Sequence, residues 1–261
     1  MAASSSLLAI LFSFFLGTSV SSSEVTSSDI SSIQSSSELY DTISDGSSPE
    51  YTYANGTLSA DEYARVLSGA FVERSRSGTG ILVLEYGDFS CPYCQHHFDA
   101  DIWSSLKKSF PETSMTHIIK NIDLFGSAEV SDASRMAICA GKLSGDTSYY
   151  RTTSMFYQLF ANLATEGESF HSHRSAVLAQ IAKKFGISRK KLDECVSDEA
   201  NDSPANDAYS EMVSIFRSSG VPLSVIINQK TLDYMIVIGD YPVDYYGAAI
   251  AALLRTESVS E

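Results

Sequence analysis

The chain has 261 residues, of which 44% are hydrophobic and 19% are charged, so its composition is that of a folded globular protein rather than a disordered one. Its formal net charge of −14 disfavours binding to nucleic acid or to an anionic membrane surface, and no nucleic-acid partner is expected. Four cysteines are too few for a scaffold held together by disulfides, but they are enough for one reactive pair and one further pair.

The N-terminus has the pattern of a secretory signal peptide. An apolar stretch of about 14 residues (7–20) contains no charged residue and is followed by three serines. It is shorter than the roughly 20 residues that a membrane-spanning helix requires, so an uncleaved anchor is the less favoured alternative. We therefore predict a signal peptide over about residues 1–23 and a periplasmic or secreted protein, in a compartment that permits disulfide formation.

Two segments of different composition follow the predicted signal peptide. Residues 24–58 are rich in serine and acidic residues, which predicts a solvated linker. Ser59 and Glu62 then form a capping-box pattern, and the apolar residues after them recur at helical spacing. The pattern predicts an N-terminal amphipathic helix within residues 59–76, whose apolar face packs either on the body of the protein or on another subunit of a homo-oligomer.

The rest of the chain alternates between strand and helix patterns. Short apolar runs with β-branched residues predict strands, and 3.6-residue periodicity predicts helices. The predicted strands are 81–86, 114–122, 221–228 and 232–238, and the predicted helices are 91–110, 129–144, 147–163, 172–185, 188–197, 204–219 and 243–255. Without the central helical block the order is β-α-β followed by β-β-α, which predicts an α/β fold with one sheet and helices on its faces.

The strongest chemical signal is the sequence Cys91-Pro92-Tyr93-Cys94, at the junction of a predicted strand and a predicted helix. Unpaired backbone N–H groups and the dipole at a helix N-terminus favour a thiolate at Cys91. Pro92 fits the first turn because no hydrogen bond is needed from its nitrogen there. Half of a zinc site or an ordinary structural disulfide is the alternative, but a zinc site requires further ligands at set spacings. We predict a redox pair and no metal site.

Cys139 and Cys195 lie on two different predicted helices. They are either buried free thiols that pack as small hydrophobic residues, or a structural disulfide that contributes roughly 3–5 kcal/mol on the loop-entropy model. The even number of cysteines in a chain expected to be exported favours the disulfide.

The segment EYGDFSCPYCQHHF (Glu85–Phe98) resembles the active-site segment of DsbA-type thiol-disulfide oxidoreductases. The resemblance extends over about residues 81–255 and includes Gly220-Val221-Pro222, which opens the third predicted strand. It implies a thioredoxin-like fold with an all-helical domain inserted after the second strand of the motif. The implied domains are a thioredoxin-like domain of residues 77–127 and 217–257 and an inserted helical domain of residues 128–216.

The resemblance also implies roles for individual residues. Cys91 is the nucleophile that forms the mixed disulfide with a substrate, and Cys94 is the resolving thiol. Pro222 corresponds to a cis-proline that faces the active site, and Val221 supplies backbone hydrogen bonds to a bound peptide. The alternative for Pro222 is a trans proline at the start of an edge strand.

Tyr93 departs from the strongly oxidising members of the family, which have histidine at that position. Pro92 and Tyr93 are expected to contact bound substrate, while His96 and His97 are expected to face elsewhere. Without a histidine between the cysteines, Cys91 is expected to be acidic but less so than in the histidine-containing members. Its disulfide is then less oxidising.

Glu85, six residues before Cys91, corresponds to the buried acid under the active site in this family. An acidic side chain in an apolar strand is expected to have its ionised form disfavoured and to exchange protons with Cys94 during turnover. The alternative is a strand residue that faces solvent. His117, in the next predicted strand, is expected to be a packed or surface residue.

Three functions are compatible with the sequence. The first is an oxidase that transfers the Cys91–Cys94 disulfide to unfolded or partly folded exported proteins, is recharged by a membrane redox partner, and needs no cofactor. The second is an oligomeric disulfide isomerase or reductase of the same fold, which oligomerises through its N-terminal segment. The third is a thioredoxin-fold copper chaperone, since thiolates suit Cu(I). Val221 before Pro222 favours the oxidase, because the isomerases of the superfamily tend to have threonine there.

Overall fold

The computed structural model describes residues 53–72 and 80–258 of the chain. The predicted signal peptide and nearly all of the predicted linker lie outside the described residues, as do residues 73–79. Within the described part, no helix is both long enough and apolar enough to cross a membrane.

Five strands of the described part form one mixed sheet, in the spatial order β1-β5-β4-β2-β3. Their bounds are β1 Ala54–Thr57, β2 Ile81–Gly87, β3 Met115–Asn121, β4 Leu223–Asn228 and β5 Asp233–Ile238. β2 runs parallel to β3 and antiparallel to β4, and β5 pairs antiparallel with both β4 and β1. The central strands β2 and β4 are buried along their whole length, which explains their nearly continuous apolar sequences.

β1 is a strand that the sequence patterns do not predict. The prediction of a linker over residues 24–58 is wrong for its last part, because Ala54–Thr57 pairs with β5 along the edge of the sheet. The Thr57 hydroxyl donates a hydrogen bond to Asp233 Oδ1 at 2.6 Å. The segment has no alternation of apolar residues, so only its pairing with a distant part of the chain makes it a strand.

Nine α-helices accompany the sheet in the described ranges. Their bounds are α1 Ala60–Leu67, α2 Pro92–Asp99, α3 Ile102–Ser109, α4 Ala128–Ser144, α5 Asp146–Glu166, α6 Phe170–Phe185, α7 Arg189–Ser197, α8 Ser203–Ser214 and α9 Val243–Ser258. A short 3₁₀ helix, Glu199–Asp202, joins α7 to α8. Helices α4 to α8 all lie between β3 and β4 in sequence, so they form the helical insertion that the predicted fold class requires.

The N-terminal amphipathic helix is shorter than predicted. Its capping box is confirmed, since the Ser59 N–H donates to Glu62 Oε2 at 2.9 Å and the Glu62 N–H donates to the Ser59 hydroxyl at 3.2 Å. The helix ends at Leu67 because Ser68 has an extended backbone and Gly69 has a left-handed one, with φ of +65°.

The predicted helix over residues 91–110 is two helices, α2 and α3. Asp101 between them has φ of +45°, a left-handed conformation that an α-helix cannot contain. The chain therefore changes direction after Asp99 and starts a new helix at Ile102. Aspartate tolerates this conformation better than most residues, and the helical spacing of the apolar residues conceals the break.

The alternating side chains of β2 face two separate cores. Leu82 and Leu84 pack in the core shared with α1 and α8, and Ile81 and Val83 pack in the core shared with α3 and α9. Full burial of each of these side chains contributes about 1.5–3 kcal/mol. Glu85 continues the second series, so its carboxylate points toward the helices of the second core.

A disulfide between Cys139 and Cys195 links α4 to α7 within the helical insertion. Cys139 is fully buried, and the Cys195 carbonyl accepts a hydrogen bond from the buried Asn201 side-chain amide at 2.7 Å. Of the two alternatives for these cysteines, the structure has the structural disulfide.

Removing this disulfide is expected to lower the free energy of unfolding by roughly 2–5 kcal/mol, because the unfolded chain loses a cross-link that restricts it. The test compares C139A/C195A with its parent in urea unfolding. Both proteins carry Cys91→Ser and Cys94→Ser, so that only one disulfide varies. A difference below about 0.5 kcal/mol would mean that the disulfide is not a stabilising element.

Candidate active site

The turn between β2 and α2 positions Cys91 at the helix N-terminus. Cys91 is the N-cap residue of α2, its backbone is extended, and Pro92 occupies the first turn. The buried Asp88 carboxylate orders this turn. Its Oδ1 accepts hydrogen bonds from the N–H and the hydroxyl of Ser90, both at 2.7 Å, and its Oδ2 accepts one from the Leu124 N–H at 2.9 Å. Asp88 thus joins the active-site turn to the loop that leads into the helical insertion.

The two thiols of the pair differ in acidity. Cys91 and Cys94 are free thiols, and both are buried. A hydrogen bond from the Cys94 thiol, supported by the backbone N–H groups of Cys94 and Tyr93, lowers the pKa of Cys91 to about 6 in spite of its burial. The same hydrogen bond, together with burial, raises the pKa of Cys94 well above that of a free thiol. At neutral pH Cys91 is therefore a thiolate and Cys94 a thiol, which favours Cys91 as the nucleophile.

The expectation drawn from Tyr93, that Cys91 is less acidic than in the histidine-containing members, stays a prediction. Thiols at helix N-termini have pKa values of about 3.5–7.5, and a pKa of about 6 lies toward the less acidic end of that range. In the described part of the chain, the hydrogen bonds that lower the pKa of Cys91 come from the Cys94 thiol and from backbone N–H groups.

The peptide bond between Val221 and Pro222 is cis, and it lies opposite Cys91. Cys91 Sγ is 3.9 Å from the Val221 carbonyl oxygen. Pro92 and Tyr93 are exposed, Tyr93 to 67%. The structure thus brings together the nucleophile, the proline and the accessible residues of the motif, while the roles of Val221, Pro92 and Tyr93 in substrate binding stay predictions.

Glu85 is buried beneath α2, and its carboxylate contacts two histidines. Glu85 Oε1 lies 2.5 Å from His97 Nε2, and Oε2 lies 2.5 Å from His117 Nε2. The Ser224 hydroxyl donates a longer hydrogen bond, of 3.5 Å, to Oε1. With 8% of its surface exposed, Glu85 is the buried acid of the two alternatives and not a strand residue that faces solvent.

The charge of Glu85 differs from the expectation. Burial alone raises its pKa, but the imidazoles of His117 and His97 outweigh burial and lower the pKa of Glu85 below its usual range. The expectation that the ionised form is disfavoured is therefore wrong, because the sequence pattern did not reveal the two histidines. In the other direction, burial lowers the pKa of His97, and Glu85 more than reverses this effect, so that the pKa of His97 is raised.

His97 also connects the buried cluster to the surface. Its Nδ1 lies 3.3 Å from the Tyr246 hydroxyl and 3.6 Å from Asp240 Oδ1, and Asp240 pairs with the exposed His96. The expectation that His97 faces away from the site is wrong. It is three residues after Cys94 on α2, so both side chains share the buried face of the helix.

His117 reaches Glu85 from the neighbouring strand, and it is buried. Val83 and His117 are partners in the parallel β2–β3 register, so His117 lies on the same sheet face as Glu85. The ring of Trp103 on α3 packs beside it, with ring centroids 5.4 Å apart. The alternation of side chains along β3 could have identified this contact, but only once the register was known.

Tyr157 of α5, a residue of the helical insertion, packs beside the thiol pair. Its ring stacks on Phe98, with centroids 4.8 Å apart, and packs edge-on against Phe89 at 5.0 Å. Its hydroxyl lies against Gly87: a β-carbon there would be 2.2 Å from that oxygen and 3.9 Å from the β-carbon of Cys94. Glycine at this position lets the phenol and the thiol residue approach the same point of β2.

The family model described as thioredoxin matches residues 80–250 of the chain. The chain belongs to the thioredoxin family. The matched part of this thioredoxin-family protein contains strands β2 to β5, the thiol pair and the Val221–Pro222 bond. A search of curated protein sequences found no match.

Several solved structures share the fold of this thioredoxin-family protein. Alpha-DsbA1 of Wolbachia pipientis is 14% identical with a TM-score of 0.57, and the alignment covers 74% of this chain and 95% of that one. BdbD of Bacillus subtilis is 17% identical with a TM-score of 0.55, covering 78% and 100%. A periplasmic thioredoxin-like protein of Salmonella enterica serovar Typhimurium is 15% identical with a TM-score of 0.54, covering 77% and 99%.

These comparisons confirm the predicted fold class, a thioredoxin-like fold with an all-helical insertion after the second strand of the motif. At this level of identity the solved structures establish the fold alone. Together with the family and the thiol pair at the start of α2, the fold supports a thiol-disulfide oxidoreductase.

The substitution Gly87→Ala is expected to lower the free energy of unfolding by about 1–3 kcal/mol, because the new β-carbon overlaps the Tyr157 hydroxyl. Tyr157→Phe removes the overlapping oxygen, so G87A should cost much less in the Y157F background. Urea unfolding of the four proteins gives the double-mutant cycle. Strictly additive losses would show that this overlap is not the cause.

In the reduced protein, Cys91 is expected to titrate with a pKa of about 6. Cys94→Ala removes the S–H donor and should raise that pKa toward the value of about 8.5 for a free thiol. The ultraviolet absorbance of the thiolate, followed against pH, measures both values. The matched control Cys91→Ala should form no thiolate at neutral pH, and a thiolate signal in that variant would contradict the assignment.

Proposed function

We propose that this thioredoxin-family protein is an exported thiol oxidase, which transfers the Cys91–Cys94 disulfide to pairs of thiols in unfolded or partly folded exported proteins. The difference in acidity between the two thiols carries the proposal. A pKa of about 6 stabilises the Cys91 thiolate at neutral pH, and so stabilises the reduced form of the pair. A stabilised reduced form makes this disulfide a better oxidant than a disulfide between two thiols of ordinary pKa.

The proposed reaction consists of two thiol-disulfide exchanges. A client thiolate attacks Cys91 Sγ, the Cys91–Cys94 bond breaks, and Cys94 leaves with the electron pair and takes up a proton. The second client thiol, once deprotonated, attacks the client sulfur of the mixed disulfide, and Cys91 leaves as a thiolate. The client has then lost two electrons, which the two cysteines of the oxidase hold.

The surface around Cys91 suits an extended peptide. The Val221 carbonyl oxygen lies 3.9 Å from Cys91 Sγ, so a peptide that pairs with the backbone of Val221 would bring its own cysteine to the nucleophile. The exposed Tyr93, next to Pro92 in the motif, offers an apolar ring beside it. These features support the proposed substrate-binding roles of Val221, Pro92 and Tyr93.

An exported location is supported by three observations. The N-terminal sequence has the pattern of a signal peptide over about residues 1–23. The Cys139–Cys195 disulfide is of a kind that persists in oxidising compartments. The Salmonella protein that shares the fold is described as periplasmic. For repeated turnover the oxidase requires an acceptor of two electrons, and we propose that a membrane redox partner fills this role.

The oligomeric isomerase has less support. This alternative depends on oligomerisation through the N-terminal segment, with α1 as a candidate contact between subunits. Val66 of α1 is fully buried in the core of its own chain, and Tyr63 packs against the same core. These two side chains of α1 therefore pack within one subunit, while Leu67 of the same helix is 36% exposed.

Reduced and scrambled ribonuclease distinguish the alternatives. The oxidase should restore activity to the reduced form and leave the scrambled form inactive. Cys91→Ser should have no effect on either. Cys94→Ser has no disulfide to donate, so it should also leave reduced ribonuclease inactive, but its Cys91 thiolate should attack the disulfides of scrambled ribonuclease and form a mixed disulfide with the client. Activity on scrambled ribonuclease would assign an isomerase instead. Stoichiometric Cu(I) binding without activity on either substrate would assign a copper chaperone.

A further inference from the structure

We propose that His97 supplies, through Glu85, the proton that Cys94 takes up when the disulfide opens, and that it regains this proton from a cavity lying apart from Cys91. The proposal rests on the proposed function, since it concerns the first exchange of the oxidase reaction. His97 acts through another residue, so its role is to hold and replace a proton near the reacting sulfur.

Cys94, His97 and Glu85 face the same space between α2 and the sheet. Cys94 and His97 are three residues apart on α2, and both side chains are buried. The β-carbon of Cys94 lies over Gly87, which is two residues from Glu85 and on the same face of β2. The carboxylate is therefore on the same side of the strand as the thiol that needs a proton.

Ionisable groups from several elements face His97. On one side of its ring, Glu85 of β2 lies 2.5 Å from Nε2. On the other side, Tyr246 of α9 lies 3.3 Å from Nδ1, and Asp240, in the loop between β5 and α9, lies 3.6 Å from it. His117 of β3 contacts the second carboxylate oxygen of Glu85 through its Nε2. The imidazole thus bridges a buried carboxylate and a carboxylate close to the surface.

A cavity of about 380 Å³ borders this cluster, between α2, α3 and β3. Its ionisable lining residues are Glu85, His97, His117, Asp99, Asp101 and Lys107. The two aspartates are exposed, so the cavity opens to solvent. Its volume accommodates on the order of ten water molecules. Trp103 also lines it and has a buried Nε1 with no hydrogen-bond partner in the described part of the chain, so one wall offers a donor to water.

The lining of the cavity is separate from the residues around Cys91. The described residues that line the cavity do not include Cys91, Cys94, Tyr93 or Val221. A client bound at Cys91 therefore leaves this second opening free. Water reaches the histidines of the buried cluster without passing the mixed disulfide.

The charges around His97 favour its protonated form. Burial lowers its pKa, but Glu85 and Asp240 raise it by more, and His117 opposes them only in part. The exposed His96 pairs with Asp240 from the solvent side. A protonated imidazole beside an ionised carboxylate is a stored proton, and it is lost as the pH rises through the pKa of His97.

The two exchanges conserve protons and electrons. The client thiolate attacks Cys91, the S–S bond breaks, and two electrons move to Cys94, whose thiolate takes one proton from the His97–Glu85 pair. His97 becomes a neutral imidazole, and water in the cavity returns one proton to it. Of the two protons that the client thiols release, the net result stores one at Cys94 and delivers one to solvent, while Cys91 remains a thiolate.

The substitution His97→Gln tests the proposal, because glutamine can donate a hydrogen bond to Glu85 but cannot carry a proton. The oxidised protein is mixed with a reduced peptide that contains two cysteines. Acid-quenched samples are alkylated, and mass spectrometry measures free Cys94 against time. H97Q should open its disulfide at least tenfold more slowly at neutral pH. His171→Gln, an exposed histidine at the start of α6, is the matched control and should react at the wild-type rate.

The pH profile separates proton supply from a structural role. Dividing each rate by that of H171Q removes the titration of the peptide thiols. The defect of H97Q should be greatest where the wild-type His97 is protonated, and it should diminish as the pH rises through the pKa of that histidine. His97→Ala with added imidazole gives a second readout, because rescue should follow the imidazolium concentration and weaken above about pH 7.

Equal rates and pH profiles for H97Q and H171Q would overturn the proposal. If the wild-type protein itself fails to open its disulfide with the peptide, the proposed function fails instead, so the two failures are distinguishable. If H97Q does not fold, Asp240→Asn removes the charge that faces Nδ1 and leaves the contact with Glu85 in place. The rate of this variant divided by that of H171Q should then fall as the pH rises, because His97 loses its proton at a lower pH, and a ratio that does not change with pH would overturn the proposal.

Discussion

The hydrogen bond from the Cys94 thiol to the Cys91 thiolate is the interaction on which the chemistry of this protein depends. It lowers the pKa of one sulfur while raising that of the other, so a single contact creates both a nucleophile and a thiolate that must be protonated when it leaves. The rest of the site preserves that contact. Asp88 orders the turn into α2, and Tyr157 fills the space beside Gly87. In water the same two thiols would titrate near their ordinary value, and the difference between them would disappear.

The helical insertion contributes Tyr157 to the site. Hydrogen bonds between the insertion and the sheet hold that side chain in position. The Tyr149 hydroxyl of α5 donates a hydrogen bond to the Ile119 carbonyl at 2.9 Å, and the Tyr150 hydroxyl donates one to the His117 carbonyl at 3.1 Å. These bonds hold the first turns of α5 against β3, while Tyr157, two turns further along, reaches β2. The same helix therefore fixes the backbone of the strand that carries His117 and closes the space beside Cys94.

Local patterns predict the elements of this fold better than they predict its site. The apolar runs of β2 and β4 and the capping box at Ser59 are local signals, and the structure has all three. The break at Asp101 is concealed because the apolar residues keep their helical spacing in the sequence on both sides of it. The pairing of Glu85 with His97 and His117 depends on side-chain directions in a strand, a helix and a second strand at once. Such a contact has no signal in any single segment, so the sequence predicted the acid and not its partners.

Trp103 gives this buried cluster an optical property. It is the single tryptophan of the chain, and its ring centroid lies 5.4 Å from that of His117 and 6.5 Å from that of His97. The emission of an indole depends on the charge of the groups around it, and here those groups are two imidazoles and the carboxylate between them. The intrinsic fluorescence of the unmodified protein therefore reports the protonation of the buried histidines and Glu85, and no added dye is needed.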